Sequence, residues 1–290
     1  MRMKRNIIKV LEWNLNFGSY DDVVPAGFTS EYIKDFDVVI LTEVKANNAL
    51  INIIESLGYD YIVSDDQGQF SNQIVIMAKK KYKLQRINGA LRSNNKELEP
   101  DFIHGIIMVG KKKINILGIR IKMSGYGERF IQAKLIKEYI STIEGSIICA
   151  GDFNSGQIRG LEDADYSDVE SLYQYRSRGK ELSELRFYNF HLIKDLIGER
   201  FILKEIMGED NSWGLSEKEG KLVYGFGKRV KNDLLFYSSD IKGNSNYSWK
   251  HVRQNRQKYM EMITKNSKRH GNKVDHGYPD HARLVAELAV

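Results

Sequence analysis

Apolar residues in this chain fall in short runs separated by polar punctuation, and the lengths of those runs separate strands from helices. IIKVLEWN (7–14), DVVILTEV (37–44), YDYIVSD (59–65) and QIVIMAKK (73–80) are brief, rich in Ile and Val and bounded by polar residues, which predicts β-strands. IHGIIMVG, KKK and INILGIRIK (103–122) read as a hairpin. Over 128–143 the period changes, and Phe130, Leu135, Ile136, Tyr139, Ile140 and Ile143 share one face of a helix. SIICAGDFN (146–154) is again a buried strand, ending in a polar tip. LSELRFYNFHLIKDLIG (182–198) is a helix closed by glycine, and LVYGF (222–226), NDLLFYSS (232–239) and ARLVAELAV (282–290) are further strands. The intervening 155–181, acidic and without a period, is expected to be a surface loop.

No repeat, low-complexity tract or linker interrupts this order. Many strands with helices outside them predict an α/β protein in which two sheets pack together under helical cover. A single domain over 1–290 is expected, since 290 residues with 42% hydrophobic content can bury one large core. The lone Cys149 excludes an intramolecular disulfide and a thiolate zinc cluster, so any metal must use oxygen or imidazole ligands. No apolar run approaches the roughly 18 residues of a membrane span. MRMKR followed by IIKVLEWN is too short and interrupted for a signal-peptide core, so a cytoplasmic protein is expected.

Charge adds something the apolar pattern does not. Between Trp249 and His276 stand Lys250, Arg253, Arg256, Lys258, Lys265, Lys268, Arg269 and Lys273, against only Glu261 and Asp275, so this stretch holds the whole formal excess of +6. A concentrated cationic patch points to a polyanionic partner more strongly than overall basicity, though a solvated face has the same composition. Trp249, Val252, Arg256, Tyr259, Met260 and Ile263 approximate a helical stripe within it, with Arg253, Gln257, Lys258 and Lys265 largely off that stripe.

Several strands end in polar residues that a core does not need. Asn14 and Asn16 follow the first strand, Glu43 closes the second, Asp152 and Asn154 follow IICA, Asp233 opens NDLLF, and Asp280 and His281 precede the last strand. Singly, such residues also make Asx turns or caps. GDFN is sharper, because glycine permits a close turn and residues two apart on a strand point the same way.

The order W-N, L-T-E, G-D-F-N, N-D-L-L-F-Y-S-S and P-D-H, spanning Trp13 to His281, resembles the endonuclease/exonuclease/phosphatase superfamily over almost the whole chain. The resemblance implies a four-layer α/β sandwich of two packed mixed β-sheets flanked by helices, with a cleft at one edge that cleaves phosphoesters with a divalent metal. It implies that Asn14, Glu43 and Asp280 hold that metal and that Asp152 orients or deprotonates the attacking water. Asn154 would support the water and transition state, and His281, partnered by Asp233, would contact the scissile phosphate. Chemistry agrees: Glu43 and Asp280 are hard oxygen donors suited to Mg²⁺ or Mn²⁺, and hydrolysis needs a cation, a placed water and positive charge.

Two departures stand out. Ile119-Arg120-Ile121 replaces the histidine or tyrosine that the resembled family places after this strand; Arg120 could still bind phosphate bidentately but cannot act as a general acid. Asn16 stands where the abasic-site repair branch has an acid, which weakens the case for a second metal. The 47 residues from Asp233 to Asp280 exceed the family's usual separation, marking about 242–276 as a basic insertion.

Three functions follow. In a nuclease, the insertion's Arg253, Arg256, Lys258, Lys265, Lys268 and Arg269 grip nucleic acid, DNA first, while the metal site cuts one strand. The same chemistry could serve a phosphatase of an inositol phosphate or phospholipid head group. A binding protein on a catalytically dead version of the fold is the third. No protein partner can be inferred.

Overall fold

The computed structural model describes residues 6–16, 26–65, 72–88, 91, 98–122, 126–154, 201–202, 212, 215–224, 232–270 and 278–290. Strands β1 (Ile7–Asn14), β2 (Val38–Val44), β3 (Tyr59–Val63) and β4 (Gln73–Lys79) follow the predicted runs, with helices α1 (Ala26–Ile33) and α2 (Asn48–Ser56) between them. Next come β5 (Gln85–Ile87), the hairpin β6 (Asp101–Val109) and β7 (Lys112–Arg120), helix α3 (Tyr126–Ser141) and β8 (Ser146–Asp152). After these lie β9 (Phe201–Ile202), β10 (Leu215–Lys218), β11 (Lys221–Tyr224), β12 (Asp233–Ser238) and β13 (Lys242–Ser248). Helices α4 (Lys250–Gln254) and α5 (Arg256–His270) lead to β14 (Arg283–Ala289). The expected loop 155–181 and helix 182–198 lie outside the described residues.

The strands form two six-stranded mixed sheets, ordered β13-β14-β1-β2-β4-β3 and β5-β6-β7-β8-β12-β9, plus the hairpin β10-β11. Alternation explains how the first sheet is covered on both faces. Ile8, Val10, Val38, Ile40, Ile74 and Ile76 turn toward the second sheet, while Leu11, Trp13, Val39, Leu41, Val75 and Met77 pack under Tyr32 and Ile33 of α1 and Leu50 and Ile54 of α2. Gly118 of β7 lets the sheets approach: a Cβ there would lie 2.8 Å from Ile74 and 3.3 Å from Ile40. On the far face of the second sheet, His104 Nδ1 sits 2.9 Å from the hydroxyl of Tyr139 on α3. The architecture is the expected α/β sandwich.

Two expectations shift in detail. The hairpin turns at Gly110, with φ of 64°, and Lys112 and Lys113 belong to β7, because Met108 and Val109 register against them. Residues 242–248, expected to begin an insertion, are the edge strand of the first sheet and pair with β14 along their whole length. KGNSNYS carries little strand propensity, so its backbone pairing, not its side chains, makes it a strand.

Candidate active site

Strand directions bring the polar tips to one end of the sandwich. β1 runs parallel to β2 and antiparallel to β14, which places Asn14 near Thr42 and near the segment before β14. In the other sheet β8 pairs with β7 on one side and β12 on the other, so that Asp152 registers against both Arg120 and Asp233. Polar residues from both sheets therefore meet where the interlayer ends.

Asp152 is the centre of this meeting. It is 1% exposed and accepts from the Asn14 amide at 2.9 Å, from the Asn154 backbone N–H at 2.9 Å and from the Asn154 side-chain amide at 3.2 Å. Gly151 makes the turn possible: its φ is 156°, and a Cβ would lie 1.7 Å from the Ile119 carbonyl oxygen. Burial, and then the charge of Asp233, push the Asp152 carboxyl up to about 7, against the pull of His281. A carboxyl poised near neutrality can take a proton from water and give it up again.

His281 enters from the first sheet and reaches Asp233 of the second. Its Nδ1 lies 2.9 Å and 3.1 Å from the two Asp233 oxygens, and its Nε2 lies 4.0 Å from Asp280. Burial opposes the imidazolium, but Asp233 by charge and hydrogen bond, then Asp280 and Asp152, outweigh it and hold the ring well above the usual histidine range. The segment carrying this pair is fastened from three sides. Tyr259 of α5 donates to the Pro279 carbonyl at 2.9 Å, the Trp13 indole donates to the His281 carbonyl at 3.3 Å, and the Asn16 amide donates to the Tyr278 carbonyl at 3.2 Å.

Glu43 and Arg120 make the other cross-sheet pair. Arg120 Nε and Nη2 both contact Glu43 Oε1, at 3.0 and 2.9 Å, and Nη1 contacts Asp101 at 2.9 Å. With its amide oxygen turned toward the guanidinium, buried Asn72 accepts from Nη2 and Nη1 at 2.6 and 3.1 Å. All five N–H donors of the arginine are thereby used. The expected bidentate phosphate contact is corrected: Arg120 is committed to protein acceptors and has no donor left over. Burial and then the charges of Asp233, Glu43 and Arg120 all bear on Asp152, so the two pairs share one electrostatic neighbourhood.

Backbone conformation marks the same place. Of the five described non-glycine residues with positive φ, three are Asn16 (52°), Glu43 (51°) and Asn154 (47°), a conformation that costs of order 1–3 kcal/mol each. Glu43 sits where the β2–β4 register shifts, a bulge that turns its side chain into the site.

A hard divalent cation suits the donors present. Glu43 Oε2 carries no hydrogen bond among the described residues, Asn14 offers Oδ1, which otherwise accepts only the Asn16 N–H at 2.8 Å, and Asp280 adds a carboxylate. Asp152, Asp233 and His281 also offer ligand atoms within 4.8 Å of one another. That trio suits a cation less well, because a protonated imidazole bonded to Asp233 has no lone pair to give.

One residue escaped the sequence reading. Glu12, two before Asn14 on β1, is fully buried between the sheets; the Thr42 hydroxyl donates to its Oε1 at 3.3 Å, and Oε2 has no partner among the described residues. Burial, then Asp233 and Asp152, raise its carboxyl well above the ordinary range, favouring the neutral acid. Its same-face spacing from Asn14 was the available signal.

The basic segment lies beside the site. Trp249, Val252, Tyr259 and Ile263 are buried as the stripe predicts, while Arg256 is exposed and Met262 takes a core position, because Asn255 breaks the segment into two helices. Arg253, Arg256 and Lys258 are exposed, and Lys258 Nζ lies 4.3 Å above the Tyr278 ring. Lys265, Lys268 and Arg269 are on α5, with side chains outside the described residues.

No protein-family model matches the sequence, and no curated protein is similar to it in sequence. Solved structures resemble it in fold. An endonuclease/exonuclease/phosphatase family protein from Bacteroides thetaiotaomicron gives a TM-score of 0.61 at 13% identity, covering 98% of each chain. TDP2 of D. rerio complexed with a single strand DNA product gives 0.56 at 12% identity, over 98% of this chain and 100% of that one. A mannosyl-6-phosphatase of Bacteroides thetaiotaomicron VPI-5482 gives 0.61 at 13%, again over 98% and 100%.

Proposed function

From the endonuclease/exonuclease/phosphatase fold that this chain shares with those structures, we propose that the protein is a divalent-metal-dependent phosphodiester hydrolase acting on nucleic acid, with DNA as the first substrate. One observation carries the reading: Asp152 of one sheet, held by three N–H donors, lies against an Asp233–His281 pair that joins the sheets, with Asn14, Glu43 and Asp280 around it.

A phosphodiester repels nucleophiles, so attack requires a placed water and charge compensation. Asp152 takes the proton of the attacking water, and the Asn14 and Asn154 amides fix which way its oxygens face. Asn154 is itself held by donating to the Ile121 carbonyl at 2.8 Å. His281, kept cationic by Asp233, presents positive charge to a phosphoryl oxygen. Glu43, Asn14 and Asp280 would hold a divalent cation, which when bound would supply Lewis-acid polarisation of the phosphate. The scheme uses no covalent enzyme intermediate. Exposed Arg253, Arg256 and Lys258 beside Tyr278 would track backbone phosphates, giving salt-sensitive and largely sequence-independent binding.

The test is nicking of supercoiled plasmid with Mg²⁺ or Mn²⁺, with chelator, and with Asp152→Ala and His281→Ala. Metal-dependent nicking that both substitutions reduce by orders of magnitude supports the reading; equal nicking by all three proteins rejects it. The structural likeness to a mannosyl-6-phosphatase favours a second substrate class, a small phosphomonoester. Release of inorganic phosphate from sugar or inositol phosphates, with plasmid left intact, would select that class.

A further inference from the structure

Arg120 ends β7 on the face that looks across the interlayer, the same face as Gly118. Its guanidinium spends two N–H groups on a single oxygen of Glu43, Oε1, at 3.0 and 2.9 Å. Asp101 and Asn72 occupy the other side of the fork, so the group cannot swing away from Glu43. The three ionic partners are all largely buried, with side-chain exposures of 11% for Arg120, 13% for Glu43 and 6% for Asp101. Glu43, in its positive-φ conformation at the bulge, has little freedom of its own.

We propose that Arg120 is a positioning residue that restricts Glu43 to one-oxygen coordination of the divalent cation and keeps that cation weakly bound, an inference that rests on the metal-dependent reading above. Two physical effects act together. Oε1 already accepts two guanidinium N–H groups, which leaves Oε2 as the oxygen available to a cation and disfavours two-oxygen chelation. A permanent positive charge also stands beside the ligand, and repulsion between like charges falls only as the inverse of distance. A histidine in this place would lose its charge above neutral pH, whereas an arginine keeps it throughout.

Titration calorimetry of Mn²⁺ into the intact protein, without substrate and at neutral pH, reads this directly. Arg120→Gln and Arg120→Met remove the charge and release Oε1, and both should bind Mn²⁺ about tenfold more tightly than wild type while plasmid nicking falls. A merely damaged fold would weaken binding and nicking together. Arg120→Lys keeps the charge but offers no planar fork to hold Oε1, so its Mn²⁺ affinity should lie between wild type and the neutral variants while kcat falls roughly tenfold at unchanged KM. Neutral variants that keep their near-ultraviolet circular dichroism yet bind Mn²⁺ no more tightly than wild type overturn the inference alone, as does a lysine variant with wild-type kcat. Wild-type protein that binds no Mn²⁺ overturns the metal-dependent reading itself and this inference with it.

Discussion

Two charge pairs cross the seam between the sheets, and they are built from opposite materials. Asp233–His281 runs from β12 to the residue before β14, and Glu43–Arg120 runs from β2 to β7. The first contains a ring whose charge depends on its carboxylate partners; the second contains a cation that needs none to stay charged. His281 has one carboxylate at its Nδ1 with Asp280 beyond, while Arg120 has every donor filled. The imidazolium owes its charge to the carboxylates around it, whereas the guanidinium carries its charge regardless and serves to hold its acceptors in place.

Breaking the proton-handling side should have the largest consequence. Asp152→Ala removes the carboxylate and His281→Ala the compensating charge, so each should lower plasmid nicking by about 10³-fold or more, with DNA retention on gels nearly unchanged. Asp233→Asn should cost about 10²-fold and change the pH profile, because His281 then loses the partner that holds it protonated. Activity of this variant should decline on passing neutrality, where wild type persists.

Stability should follow the same sign. The His281 value is raised on folding, so its contribution is fully present below the unfolded value of 6.5 and is lost as pH rises through the folded one. Thermal melts of Asp233→Asn should lack that alkaline loss. On the structural side, Tyr259→Phe removes the donor to Pro279 and should cost about 1 kcal/mol of stability with a few-fold loss of nicking, read by denaturant melts and initial rates. The smallest effect should come from outside both pairs. Arg253, Arg256 and Lys258 together changed to Ser should flatten the dependence of DNA affinity on salt, with slope falling by about 0.9 for each phosphate contact removed, and leave kcat alone.

The sheets were legible because β1, β2, β4, β7 and β8 are dominated by short runs of Ile, Val and other apolar residues, and two buried faces demand such runs. Strand β13 was not, since Asn244, Ser245 and Asn246 reveal nothing until β14 lies beside them. Helix α2 had readable signals that went unused: Asn47 caps it by accepting from the Leu50 N–H, and Leu50 and Ile54 are four apart on the buried face. At the site, GDFN and PDH announced themselves by polarity at strand ends. Arg120 stood out as a residue but its role did not, because the acids it contacts stand 77 and 19 residues away in sequence. Glu12 was hidden by its surroundings, a single acid inside an apolar run.

Strand β14 lies between β13 and β1, yet it follows every other described strand in chain order. While a nascent polypeptide is still emerging from the ribosome, the gap between those two neighbours is open and His281 has not yet met Asp233. A chain that stopped before residue 281 would lack both the strand that joins β13 to β1 and the imidazole that meets Asp233 across the seam.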